Sequence, residues 1–132
     1  MRSGRPQPSL ICVAGVRRAC PTTTSTPDEV ELMIVLRFRV VCQPDKTDQM
    51  MAALREVIAP ARAVEGVISF DIARDLTDPN AFIATEVFQD EAARERQESL
   101  PQVGAVMSLL PSSIISPPEV TVYRASEAVT VA

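Results

Sequence analysis

The chain has 132 residues, 46% of them hydrophobic and 23% charged, with a formal net charge of −4 and a pI near 4.8. This length and composition set a single modest folded domain, about 100 ordered residues burying roughly 60 to 70% of their unfolded surface, and exclude a disordered chain. With Lys46 as the one lysine, the acidic balance excludes a basic groove for nucleic acid, and no apolar run approaches the ~20 residues of a membrane span.

Residues 1–31 differ from the rest: four arginines, four prolines and the run Pro21-Thr22-Thr23-Thr24-Ser25-Thr26-Pro27, with no periodic apolar face. The apolar run Leu10 to Val16 is followed by Arg17 and Arg18 where a signal peptide needs small neutral residues, so a flexible tail is expected here. Three cysteines, Cys12, Cys20 and Cys42, without a CxxC and without any histidine, disfavour zinc and point to a reducing, cytoplasmic setting. Cys42 then reads as a small apolar residue.

Leu32 to Cys42 is β-branched and long enough for a central strand, with Ile34, Leu36, Phe38 and Val40 on one side and Arg37 and Arg39 on the other. Pro44-Asp45 predicts a helix start with Asp45 as N-cap. Met50, Met51, Leu54, Val57, Ile58 and Ala61 form its apolar stripe, and Pro60 is expected to kink or end it. Gly66 leads into a hairpin. Its first strand, Val67 to Arg74, alternates Ile68, Phe70 and Ile72 with Ser69, Asp71 and Ala73; its second is Ala81 to Phe88, with the reversal expected at Thr77-Asp78-Pro79-Asn80.

Asp90 is expected to cap a short charged helix, Glu91 to Glu98. Pro101 opens another, with Val103, Val106, Met107 and Leu110 as its buried stripe and Pro111 as its stop. A last strand holds Val120, Val122 and Tyr123. The domain is thus expected over residues 32–127, with a short tail at 128–132.

The order predicts an α+β fold: a ferredoxin-like βαββαβ antiparallel sheet with the helices on one face. Ile68, Phe70 and Ile72 stand against Val67 and Ala73, and Phe82 and Phe88 against Ile83 and Val87, so both faces carry apolar side chains. Helices hide one face only. Covering the other by a second copy predicts a homodimer through the sheet face, closing a dimeric α+β barrel.

These residues resemble the antibiotic biosynthesis monooxygenase (ABM) domain family of the dimeric α+β barrel superfamily. The resemblance covers residues 33–127. It rests on MIVLRFRV followed by Pro44-Asp45-Lys46, on Ile58-Ala59-Pro60-Ala61-Arg62, and on Glu65-Gly66-Val67-Ile68-Ser69-Phe70-Asp71. It continues through Arg74-Asp75-Leu76-Thr77-Asp78-Pro79, Glu86-Val87-Phe88-Gln89-Asp90-Glu91-Ala92 and the closing PPEVTVYRASEA. The resemblance implies oxygenation of an electron-rich aromatic or quinol compound with O₂, without flavin or metal. Relatives often have Trp at Phe88 and His at Gln97 and Gln102, and this chain has neither residue type, so haem ligation through His is excluded.

Such chemistry needs a dry slot for a planar ring, a donor for the phenolate and a base for the phenol proton. Phe70, Phe82, Phe88 and Tyr123 are candidate walls, with Arg37 as a further substrate contact; Arg39 and Gln97 are candidate oxyanion donors, and Glu86 is the candidate base. Glu86 can equally pair with Arg37 or Arg39 across strands, and the aromatics can equally be core. The function expected is a cofactor-independent monooxygenase acting on a small apolar aromatic ligand, or alternatively a non-catalytic ligand-binding dimer of the same fold. Four scattered glycines make neither a dinucleotide fingerprint nor a P-loop, and without histidine no Ser-His or Cys-His pair exists.

Overall fold

The β-branched run at the start of the domain forms the strand that the sheet is built on. The computed structural model describes residues 32–131; the tail expected over 1–31, with Cys12 and Cys20, and Ala132 at the other end lie outside them. Strand β1 (Met33–Val41) is followed by a 3₁₀ turn at Pro44–Lys46 and helix α1 (Thr47–Arg62). Then come β2 (Val67–Asp75), β3 (Asp78–Phe88), α2 (Glu91–Glu98), α3 (Pro101–Ser113) and β4 (Glu119–Ala125). The strand order is β2-β3-β1-β4, with all neighbours antiparallel. This is the expected ferredoxin-like α+β arrangement.

Strand pairing decides which side chains share a face. Leu36 lies opposite Glu86, Phe38 opposite Ala84 and Val40 opposite Phe82, while Phe70 and Ile72 stand opposite Glu86 and Ala84 from the other side. The even-numbered residues of β1 and β3, and those of β2 from Phe70 onward, therefore form the helix face. Val40, Phe70 and Phe82 pack with Met50, Leu54 and Val57 of α1 and with Val106 and Leu110 of α3, while Ile34, Leu36, Phe88 and Ala93 make a second cluster under α2. Cys42 is buried in the first cluster, and burial pushes its thiol pKa up.

Several local expectations are corrected. The hairpin reverses at Leu76-Thr77, and Asp78, Pro79 and Asn80 already belong to β3. The Asp75 carboxylate makes the turn by accepting the Thr77 backbone N–H at 2.8 Å and the Thr77 hydroxyl at 2.7 Å. Helix α1 opens without a side-chain cap, because the preceding 3₁₀ turn uses the Gln43 carbonyl, which accepts Lys46 N–H at 2.9 Å and the Thr47 hydroxyl at 3.1 Å. Pro60 and Pro111 both sit inside their helices, each so near the C-terminal end that few ladder bonds follow. A register shift between Val67 and Ser69 turns Val67 toward the helix side, opposite Phe88, and leaves Ile68 56% exposed. The alternation of Ile68 with Phe70 and Ile72 is therefore broken by one extra residue.

Asp90 does cap α2, its Oδ1 accepting the Ala93 N–H at 2.8 Å. Among the described residues no helix is long and apolar enough to cross a membrane.

Candidate functional site

Between the helix face of the sheet and the three helices lies a cavity of about 390 Å³. Its floor is Leu36 and Phe38 of β1, Phe70 and Ile72 of β2, and Ala84 and Glu86 of β3. Leu54 and Val57 of α1 and Val103, Val106 and Met107 of α3 form the far wall. Arg94, Gln97 and Glu98 of α2 close the remaining side, facing Val120 of β4.

The cavity opens where the sheet is unroofed. On β4 the helix-side residues are Val120 and Val122, yet Val120 is 53% exposed, as is Met107 across from it at 52%. Met107 was expected within a buried stripe; it instead rims this mouth, because no helix residue covers β4 there.

Glu86 carries the chemistry of the site. Strand β3 holds it on the helix face between Leu36 and Phe70, with its surface 9% exposed. Burial first, and then the neighbouring Glu98 carboxylate, raise its pKa from an ordinary 4.5 to about 7, against the opposing pull of Arg94. Gln97, 2% exposed on the inward face of α2 one turn beyond Ala93, supplies an amide to the same cavity. A base poised near neutrality beside an amide donor, over an apolar floor, can accept a proton from a bound hydroxyl.

Arg94, a guanidinium that stays charged and can only donate, is engaged by carboxylates. Its Nε donates to Glu98 at 2.8 Å and its Nη1 to Glu91 at 3.0 Å. Glu91 in turn meets Arg124 of β4 at 3.4 Å.

Of the residues singled out from the sequence, the fold brings Glu86, Gln97 and Phe70 together in the cavity. Phe82 and Phe88 lie on the same face but inside the two core clusters, Phe82 beneath the Arg74 guanidinium at 5.3 Å. Arg37, Arg39 and Tyr123 occupy the opposite face of the sheet, as their odd positions require. There Arg39 pairs with Asp75 at 3.2 Å and Glu119 at 3.6 Å, so Glu86 has no route to either arginine. The Thr77 backbone N–H, the Thr77 hydroxyl and Arg39, in that order, hold Asp75 at about 2. Gln102 points its Oε1 into the interior, where it finds no partner among the described residues.

Arg94 and Glu98 are the site residues that sequence reasoning passed over. Their i, i+4 spacing on a helix whose Ala93 and Gln97 are also four apart was the available signal, masked by the charge of the whole segment. No group of three or more Cys, Asp or Glu side chains is placed to hold a metal ion among the described residues.

The fold and its site define a ferredoxin-like α+β domain with one carboxyl-floored apolar cavity on its helix side. The sequence model of the family described as antibiotic biosynthesis monooxygenase matches residues 33–108, more than half of the chain. The chain belongs to that family. An uncharacterized protein of Synechocystis, sll1783, is 28% identical over 97 residues, covering 74% of this chain and 66% of its own length. YcnE of Bacillus subtilis, named as a candidate monooxygenase, is 30% identical over 61 residues, covering 46% of this chain and 64% of its own. The chain thus spans a little under two thirds of each of these relatives. The structure of Rv0793 from Mycobacterium tuberculosis superposes with a TM-score of 0.68 at 19% identity, over 74% of this chain and 99% of that one, which is a likeness of fold.

Proposed function

We propose that this protein is a cofactor-independent monooxygenase that oxidises an aromatic or quinol-type small molecule with O₂ in the helix-side cavity. The observation that carries the reading is the buried Glu86 carboxyl, held at about 7, on the floor of an otherwise apolar cavity. Glu86 takes the phenol proton, the electron-rich anion reduces O₂, and Gln97 hydrogen-bonds the ring oxygen. The balance closes without another reductant: a hydroquinone and O₂ give a hydroxyquinone and water, all four electrons coming from the substrate. Phe38 and Phe70 supply ring-sized apolar surface.

We further propose that two copies meet through the sheet face that lacks helices, as the barrel of the family resemblance implies. Val35, Ile83 and Val87 support this by standing half-buried there among charged neighbours.

The test is O₂ uptake with a panel of hydroquinones and anthrone-like compounds under air. Uptake that falls at least ~100-fold in Glu86→Gln is expected for a general base. A second reading, a non-catalytic dimer that binds a small apolar ligand, is favoured by the cavity's single guanidinium being already engaged by carboxylates. Ligand binding without uptake would select it.

A further inference from the structure

The cavity has three ionisable side chains, Glu86, Arg94 and Glu98, and its remaining polar member, Gln97, is uncharged. Arg94 is the one cation among them. Its guanidinium is taken by Glu98 at 2.8 Å on one edge and by Glu91 at 3.0 Å on the other. Charge-assisted bonds of this kind take two of the five guanidinium N–H donors, from Nε and Nη1, and offset the charge that would otherwise draw a ligand carboxylate or phosphate. The rest of the lining is apolar and offers an anion nothing in exchange for its lost water.

We propose that the site selects its ligand by charge, with Glu98 as the specificity-determining residue: by occupying Arg94 it admits an uncharged aromatic alcohol and rejects an aromatic acid of the same size. The inference rests on the aromatic-ligand reading above and specifies its substrate class. With Glu86 protonated, the three groups sum to zero charge; with Glu86 ionised, they sum to minus one. In neither state do these groups carry a net positive charge for an anion to meet, and the one guanidinium is already bonded to two carboxylates. The entrance repeats the preference, since Met107 and Val120 at its rim are apolar.

A matched pair of probes decides it: 2-naphthol, uncharged at neutral pH, and 2-naphthoate, ionised there, titrated by calorimetry against the wild type, Glu98→Gln and the double variant Glu98→Gln/Arg94→Gln. Glu98 is 44% exposed at its side chain, and circular dichroism of each variant verifies the fold. The wild type is expected to bind naphthol at least about tenfold more tightly than naphthoate. Glu98→Gln should narrow that gap by freeing Nε of Arg94, Glu91 still holding Nη1, and the double variant should reopen it. Equal wild-type affinities, or a ratio that Glu98→Gln leaves unchanged, overturn the proposal, as does binding of neither probe. Because the readout is binding, a protein that sorts the two probes yet consumes no O₂ would remove the oxygenase reading and leave the charge rule standing.

Discussion

At φ +91°, Gly66 holds backbone that side-chain-bearing residues rarely adopt, and a β-carbon there would stand 2.6 Å from Cβ of Ala93 and 3.1 Å from Nη2 of Arg96. Its carbonyl accepts the Gln89 N–H at 2.8 Å, so the same residue ties the start of β2 to the end of β3 beneath α2. Gly66→Ala combines a left-handed backbone penalty with a clash against a helix that carries the site. The expected cost is on the order of 2 kcal/mol or more, measured as a loss in urea-unfolding stability; an unchanged unfolding midpoint would contradict this packing. The role of Gly66 as a lead into the hairpin was legible from its place after a helix, but the approach of Ala93 was not. Glu86 was legible as a candidate because it stands between Thr85 and Val87 in a mostly apolar strand, whereas its partners depended on which face of that strand met the helices.

The two faces of the sheet are the elements where legibility ended. Period-2 alternation separated Leu36 and Phe38 from Arg37 and Arg39, yet alternation has no sign: it does not say which set the helices cover. Arg37, Arg39 and Tyr123 fell on the far side for that reason, and Asp75 and Glu119 pair with Arg39 there. The bulge at Val67 to Ser69 was also beyond reach, since each residue in it suits a strand. On the open face the central strands present Val35, Ile83 and Val87 half-buried, and Tyr123 is 55% exposed beside them. If a second copy covers this face, Ile83→Glu places an unpaired charge in the contact and should convert a particle of twice 14.3 kDa into one of 14.3 kDa in sedimentation, with the circular dichroism unchanged. A wild type that sediments at 14.3 kDa at micromolar concentration would contradict the dimer.

For the whole molecule, folding carries a carboxyl into an apolar cavity without an ion-pair partner among the described residues, and stability must record that. The Glu86 pKa rises from 4.5 unfolded to about 7 folded, so between those values the folded state binds more protons than the unfolded one. Stability contributed by the protonated group is present in full below pH 4.5 and declines as pH rises toward 7. The loss is at most on the order of 3 to 4 kcal/mol, at ~1.4 kcal/mol per unit. Asp75 works in the opposite sense and in another window: its carboxylate, held at about 2, stabilises above its ordinary 3.8 and ceases to do so as pH falls through 2. The direct measurement is urea unfolding of the wild type and Glu86→Gln across pH 4 to 8. The account predicts that Glu86→Gln gains on the wild type by up to roughly 3 to 4 kcal/mol between pH 4.5 and 7 and stays level above that. Parallel stability curves for the two proteins through that window would contradict it.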